Sequence, residues 1–323
     1  MDSRSVALIL GISGQDGAYL AQFLLNKGYR VFGTSRDVHT GSFVNLDKLG
    51  IRNQVELFSL AINDFRSVMQ GVMKSEPNEI YNLTGQTSVG LSFEQPVETF
   101  ESISVGNLNL LEVLRFSFST TKLYNACSSE CFGNTNGQIA NEITPFHPRS
   151  PYAVAKSAAF WEIANYREAY GLFACSGILF NHESPFRHRR FVTQKIVSTA
   201  CRIANGSQEL LSLGNIDIQR DWGWAPEYVE AMWLMLQQDE PDDYVIGTGE
   251  TNSLKDFVKT VFSILGLNWE DHVDLNPELL RPTDIMVSKA NPAKAIEKLG
   301  WKAKHKMADV ARMMVEAELK KKK

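Results

Sequence analysis

Tyr152 and Lys156 stand four residues apart in the run Ser150-Pro-Tyr-Ala-Val-Ala-Lys. Ser150 suits an N-cap and Pro151 suits the first helical position, so the spacing predicts a helix carrying both groups on one face. A free phenol keeps its proton to about pH 10, and a neighbouring ammonium favours the phenolate. Tyr152 is thereby expected to act as a base for a hydroxyl proton, the proton that must leave during hydride transfer from an alcohol. Upstream, the strand-like run Lys122–Ala126 delivers Ser128, Ser129 and Glu130 to its C-terminal end. Glu130 is a second proton carrier, and the Ser128 hydroxyl can orient a substrate oxygen between the two. Tyr-x-x-x-Lys alone is more often an ordinary helix face with a solvated lysine. Its company here gives it meaning.

That company begins at the N-terminus. Val6–Leu10 is a short apolar run fit for a buried parallel strand, and it enters Gly11-Ile-Ser-Gly14-Gln15-Asp16-Gly17 before a helical pattern. Glycines in this context permit a tight turn, let backbone approach a pyrophosphate and let helix pack against strand. The helix N-terminus then faces the phosphates. After the second strand the order is Thr34-Ser35-Arg36-Asp37. Arg36 suits a 2′-phosphate and favours NADP; Asp37 could serve the ribose of NAD instead.

Strand and helix patterns keep alternating: strand Val55–Leu60, helix Phe65–Lys74, strand Glu79–Leu83, a long helix over about 97–116, and strand Phe173–Phe180. This predicts an α/β, Rossmann-type, doubly wound parallel sheet with ligands at the C-terminal strand ends. Asn82-Leu-Thr-Gly, Ser128-Ser-Glu and Asn181-His-Glu all fall at such ends. Beyond Phe180 the pattern loosens into cationic and polar segments. The charged run 187–190 reads as a solvated loop, whereas Arg220, flanked by Asp221 and Trp222, suits a buried phosphate clamp. The chain returns to the sheet through Tyr228–Leu236 and Asp243–Gly247. The expected division is a cofactor-binding domain over 1–180 plus about 218–248, and a smaller α/β substrate domain over about 181–217 plus 249–323.

Composition narrows the classes. The 323 residues carry a net charge of −4, with 44% hydrophobic and 22% charged residues, which suits a globular protein and argues against nucleic acid as a partner. No apolar run reaches membrane-span length, and Met-Asp-Ser-Arg-Ser leads straight into a strand without a signal peptide, so a cytoplasmic location is expected. The four cysteines, Cys127, Cys131, Cys175 and Cys201, are too few for a disulfide scaffold and lack the companions of a zinc site; they read as thiols, and no metal is expected.

Together these pieces resemble the extended short-chain dehydrogenase/reductase superfamily and, within it, the GDP-mannose 4,6-dehydratase family. The resemblance rests on G-I-S-G-Q-D-G-A-Y-L at 11–20, P-R-S-P-Y-A-V-A-K at 148–156, S-G-I-L-F-N-H-E-S-P at 176–185, R-D-W-G-W-A-P-E-Y-V-E-A-M at 220–232 and N-P-A-K-A at 291–295. It implies oxidation of a sugar at C4, loss of water across C5–C6 and return of hydride to C6. Tyr152 with Lys156 would take the 4-hydroxyl proton, Glu130 would act at C5, and Ser128 would hold O4. Lys156 would also hold the nicotinamide ribose, and Gln15, Asp16, Leu83, His182 and Arg187 would line the cofactor pocket. Asn181 and Arg220 would meet the substrate phosphates, Arg281 the nucleotide end, with Ser88, Ser129, Lys195 and Asp284 also on the substrate side. A homodimer or homotetramer is implied.

The chain departs from the family pattern in four places. Serine stands at 128 for threonine, and Arg281-Pro-Thr-Asp284 for Arg-Pro-x-Glu. Ala61-Ile62 replaces an Asp-Leu or Asp-Met pair beside the adenine, and Arg36-Asp-Val-His replaces paired arginines used in tetramer contacts and in binding a neighbour's cofactor. Competing expectations are a dehydratase of another GDP-sugar such as a heptose, a GDP-4-keto-6-deoxysugar reductase or epimerase, and a cofactor-sensing regulator. Glu130 beside Ser128 favours the dehydratase, because a simple reductase needs no base at C5.

Overall fold

The computed structural model describes residues 4–280 and 282–321. Seven strands form one sheet: β1 Val6–Leu10, β2 Arg30–Ser35, β3 Glu56–Ser59, β4 Glu79–Asn82, β5 Lys122–Ser128, β6 Ala174–Leu179 and β7 Tyr244–Ile246. Their order is β3-β2-β1-β4-β5-β6-β7, and every pairing is parallel. Strands covered on both faces must be apolar throughout, and β1 reads Val-Ala-Leu-Ile-Leu. Successive side chains point to opposite faces. Ala7 and Ile9 accordingly join Ala18, Ala21 and Leu24 of helix α1 (Gln15–Asn26), whereas Leu8 and Leu10 join Val68 and Val72 of helix α2 (Phe65–Ser75).

The long helical region expected over 97–116 has a break. A short helix Pro96–Phe100 passes through a π turn, Glu101–Val105, into helix α3 (Gly106–Ser117). The wide turn lets Ser104 Oγ donate to Glu162 Oε1 at 2.5 Å and Asn107 Nδ2 donate to Glu162 Oε2 at 2.9 Å. Glu162 lies on helix α4 (Pro151–Tyr170), which begins as its sequence demands. Ser150 Oγ accepts from Ala153 N at 3.1 Å, Pro151 takes the first position, and the helix stops at Gly171.

A second apolar cluster forms away from the sheet. It packs helix α5 (Val192–Ala204), helix α7 (Leu254–Ile264) and helix α9 (Met307–Lys320) around Trp222, Phe257, Phe262 and Met314. Between them in the chain, helix α6 (Ala225–Leu236) lies on the sheet side against α1. So does helix α8 (Ala293–Leu299): Ala295, Leu299 and Trp301 share the cluster of Tyr244 and Ile246. Among the described residues no helix is long and apolar enough to cross a membrane.

The end of α4 is fastened to the sheet edge by a bidentate ion pair. Arg167 Nη2 meets Asp243 Oδ2 at 2.7 Å and Nη1 meets Oδ1 at 3.2 Å, while Asp243 Oδ1 also accepts from Ser176 N at 2.7 Å. Arg167→Ala strips this buried carboxylate of its cation and should cost about 2–3 kcal/mol. Urea unfolding should show a lower midpoint with an unchanged slope; an unchanged midpoint would show the pair to be structurally idle.

Candidate active site

The turn after β1 is a cradle that only glycine can line. Gly11 has φ +84°, and a Cβ there would lie 2.8 Å from Leu83 O. A Cβ on Gly17 would lie 2.5 Å from Gly11 O and 2.6 Å from Ile12 Cα. Gly14 is the N-cap of α1 and offers no side chain, which leaves the helix N-terminus open to an anion. This construction fits a dinucleotide pyrophosphate.

Gln15 and Asp16 bind the turn to the strand end at 181–184. Gln15 Nε2 donates to His182 O at 3.1 Å, and Ser184 Oγ donates to Gln15 Oε1 at 2.7 Å. Asp16 Oδ2 lies 3.0 Å from His182 Nε2, while His182 Nδ1 lies 2.7 Å from Phe180 O. The imidazole also stacks on Tyr228 at 4.5 Å. Burial opposes ionisation of Asp16, but the His182 contact and the Arg187 guanidinium outweigh it and hold the carboxyl at about 2.

A cavity of about 370 Å³ opens at the C-terminal edge of the sheet. One wall carries Ser128, Ser129, Glu130, Tyr152 and Lys156. Asp16, Leu83 and Ser88 line the side toward the glycine turn. Asn181, His182 and Arg187 lie opposite, with Lys195, Arg220 and Asp284 toward the second cluster. Gly11, Gly14, Gln15 and Gly17 support this cavity without lining it. Arg36 stands outside it, exposed, in an ion pair with Glu98 at 3.2 Å. Arg281 lies outside the described residues.

The expected lowering of the Tyr152 pKa by Lys156 does not occur in this form. Burial pushes the phenol well above the usual tyrosine range; a hydrogen bond with Ser128 opposes this, and Cys131, Cys127 and Glu130 add to it. Lys156 exerts no comparable pull: its Nζ donates to Ala126 O at 2.6 Å and lies over the Tyr152 ring, 6.0 Å from the centroid. Burial in turn lowers the lysine pKa.

At the far end, Arg220 is buried at 4% exposure, as expected of a clamp. Its Nη1 donates to Ile285 O at 2.6 Å, and its Nη2 lies 3.4 Å from Asp284 Oδ1. Lys195 Nζ donates to Ser212 O at 2.6 Å. The run 187–190 is not simply a solvated loop: Arg187 is half-buried against the cavity, while His188, Arg189 and Arg190 are exposed, Arg190 at the cavity's rim. Arg187 pairs with Glu183 at 2.8 Å and also donates to His182 O. Glu183, Arg190 and Asn215 are wall residues with no role assigned from sequence. Glu183 had a signal, since it closes the polar triplet Asn181-His-Glu.

The depressed Asp16 pKa is a stability term with a definite sign. A carboxyl held at about 2 against 3.8 contributes above its unfolded value and loses that contribution as pH falls toward 2. Asp16→Asn should cost about 2 kcal/mol at neutral pH, and the gap to wild type should close between about pH 4 and pH 2. Urea unfolding across that range checks it; a gap that stays constant with pH refutes the pairing.

Comparison with known proteins agrees with this geometry. The family model for GDP-mannose 4,6 dehydratase matches residues 8–314. GDP-mannose 4,6 dehydratase 1 of Arabidopsis thaliana is 46% identical, covering 98% of this chain and 90% of that protein. The Homo sapiens GDP-mannose 4,6 dehydratase is 42% identical over 98% of this chain and 92% of its own. Among solved structures, UDP-glucose 4-epimerase of Thermus thermophilus in complex with NAD superposes with a TM-score of 0.86 at 26% identity, covering 97% of this chain and 99% of that one. With the family model spanning nearly all of its length, the chain belongs to the GDP-mannose 4,6-dehydratase family.

Proposed function

We propose that this chain converts GDP-mannose to GDP-4-keto-6-deoxymannose, with a nicotinamide nucleotide used catalytically. The observation that carries this reading is Glu130 on one wall with Ser128 and Tyr152. Two proton carriers suit a reaction with two proton-transfer sites. A nicotinamide nucleotide held by the glycine turn and its neighbours would supply reversible hydride transfer at C4 and C6. The chain's own groups do the rest. Ser128 holds O4, and Tyr152 takes its proton. Once C4 is a ketone, the C5 proton is acidic; Glu130 removes it and gives a proton to the departing 6-hydroxyl. Lys156 stays fixed to β5 through Ala126 and presents its ammonium to the ribose side. Gly11, Gly14 and Gly17 receive the pyrophosphate, with Gln15, Asp16, Leu83, His182 and Arg187 around it. Asn181, Lys195 and Arg220 meet the substrate phosphates, and Ser88, Ser129, Asp284 and Arg281 complete the substrate side.

NADP is favoured over NAD by the turn after β2. The Asp37 carboxylate is engaged locally, accepting from His39 N at 2.8 Å and from Thr40 Oγ1 at 2.9 Å. Arg36 pairs only across the surface with Glu98 and is free to swing to a 2′-phosphate. A homo-oligomer is supported by the exposed Val97, Phe116 and Trp161 on helices that pack together. The sheet unit would hold the cofactor and the second cluster the nucleotide sugar.

Incubation of the purified protein with GDP-mannose and catalytic NADP+ should yield a product lighter by one water, with no net cofactor reduction. An unchanged sugar nucleotide would overturn the substrate assignment. Tyr152→Phe should bind cofactor but lose turnover by about 10²–10⁴-fold. Glu130→Gln should still oxidise C4, seen as reduced-nicotinamide absorbance, yet release no dehydrated sugar. Normal product from either variant would refute the role given to that residue.

A further inference from the structure

Two cysteines that the dehydration chemistry does not use lie directly behind the catalytic wall. Cys127 is the penultimate residue of β5, and Cys131 lies in the single 3₁₀ turn, Ser129–Phe132, that follows. Their sulfurs are 3.7 Å apart, both buried. Cys127 Sγ lies 3.9 Å from Lys156 O, and Cys131 Sγ lies 3.7 Å from Ala153 O. The pair is therefore wedged between the Ser128–Glu130 loop and the first turns of α4. Cys127 also lines the catalytic cavity. The other two thiols are remote: Cys175 belongs to the sheet cluster and Cys201 to the second cluster.

We propose that Cys127 and Cys131 form a reversible modification site, in which a hydroperoxide entering the catalytic cavity oxidises the pair to a disulfide and stops turnover. A disulfide brings its sulfurs from 3.7 Å to about 2.0 Å. Both ends of the loop resist that movement. Cys127 is held in sheet register opposite Ile178, and the Cys131 carbonyl accepts from His147 N at 2.9 Å. The displacement consequently falls on the residues between them, Ser128, Ser129 and Glu130. These carry the O4 contact and the C5 base. The ring so formed also lies against Ala153 and Lys156, beside Tyr152.

The pair is set up for this chemistry. Burial opposes ionisation of Cys131, but hydrogen bonds from Cys127 and Ser157 and the Lys156 charge outweigh it, holding that thiol below its usual range. Burial and the hydrogen bond with Cys131 push Cys127 up. Cys127, the sulfur that lines the cavity, attacks an oxygen of the hydroperoxide; the S–O bond forms, the O–O bond breaks, and the leaving oxygen takes the Cys127 proton to depart as water or alcohol. The second sulfur then attacks the sulfenic sulfur; the S–S bond forms, the S–O bond breaks, and the hydroxide leaves as water with the second thiol's proton. Two thiols are oxidised, and one hydroperoxide is reduced.

Loss of turnover rests on the dehydratase reading, whereas disulfide formation does not, so both are measured. The purified protein is treated with hydrogen peroxide, then assayed for free thiols after denaturation, for intact mass, and for GDP-mannose dehydration. The thiol titre should fall from four to two, with the mass lower by two hydrogens and the bond mapped to peptides holding Cys127 and Cys131. Dehydration should fall at least tenfold and return with dithiothreitol. Cys131→Ala should keep its basal activity and resist peroxide. A titre that stays at four refutes the site; so does peroxide inactivation of Cys131→Ala equal to that of wild type. A mapped disulfide with undiminished activity refutes the control of turnover. Were the untreated protein inactive on GDP-mannose, the dehydratase reading would fail, and the thiol and mass measurements would still decide the site.

Discussion

The hydrogen bond from Lys156 Nζ to Ala126 O, 2.6 Å long, sets the terms for the rest of the site. It spans from α4 to β5, which lie against each other: Ile163 shares a buried cluster with Leu123, and Phe160 shares one with Cys127. That close approach draws Tyr152 and Lys156 out of water together. Desolvation then dominates both groups, raising the phenol and lowering the ammonium.

Much of this was legible in the chain itself. The β1 run and its glycine turn, the strand ends at Asn82, Ser128 and Asn181, and the Ser150-Pro151 start of α4 are local patterns with local causes, and all appear. What escaped was decided by tertiary packing. Lys156 lies on the expected face of α4, but the carbonyl it chooses belongs to a strand that sequence spacing does not show. The π turn at Glu101–Val105 exists because Ser104 and Asn107 both reach Glu162, a partner 58 residues away from the first of them. The run 187–190 looked solvated because its composition is polar, and three of its residues are exposed, yet Arg187 turns inward to Glu183 and the cavity. Helix α8 carries no local sign that Ala295 and Leu299 belong with the sheet.

The two apolar clusters meet at the site, and polar contacts do the joining. Gln15 and Asp16 leave the glycine turn and grip His182 and Ser184. Strand segment Asn181–Glu183 pairs in parallel with Trp222–Trp224, which begins beside Arg220. Asp221, between them, accepts from Thr248 N and Gly249 N just beyond β7. A displacement of the 181–184 turn is thus felt by the cofactor cradle and by Arg220 alike.

In the proposed reaction Arg220 must meet a diphosphate, and its present contacts explain how it can do so without a large rearrangement. The guanidinium is already desolvated, and the cost of burying it is met within the fold by the Ile285 and Gln219 carbonyls. Its carboxylate contact is the long one, 3.4 Å to Asp284, on a side chain that lines the cavity. Replacing that contact by a phosphate exchanges one anion for another at a cation whose orientation is fixed by carbonyls that stay in place. The planar fork loses little further freedom on binding.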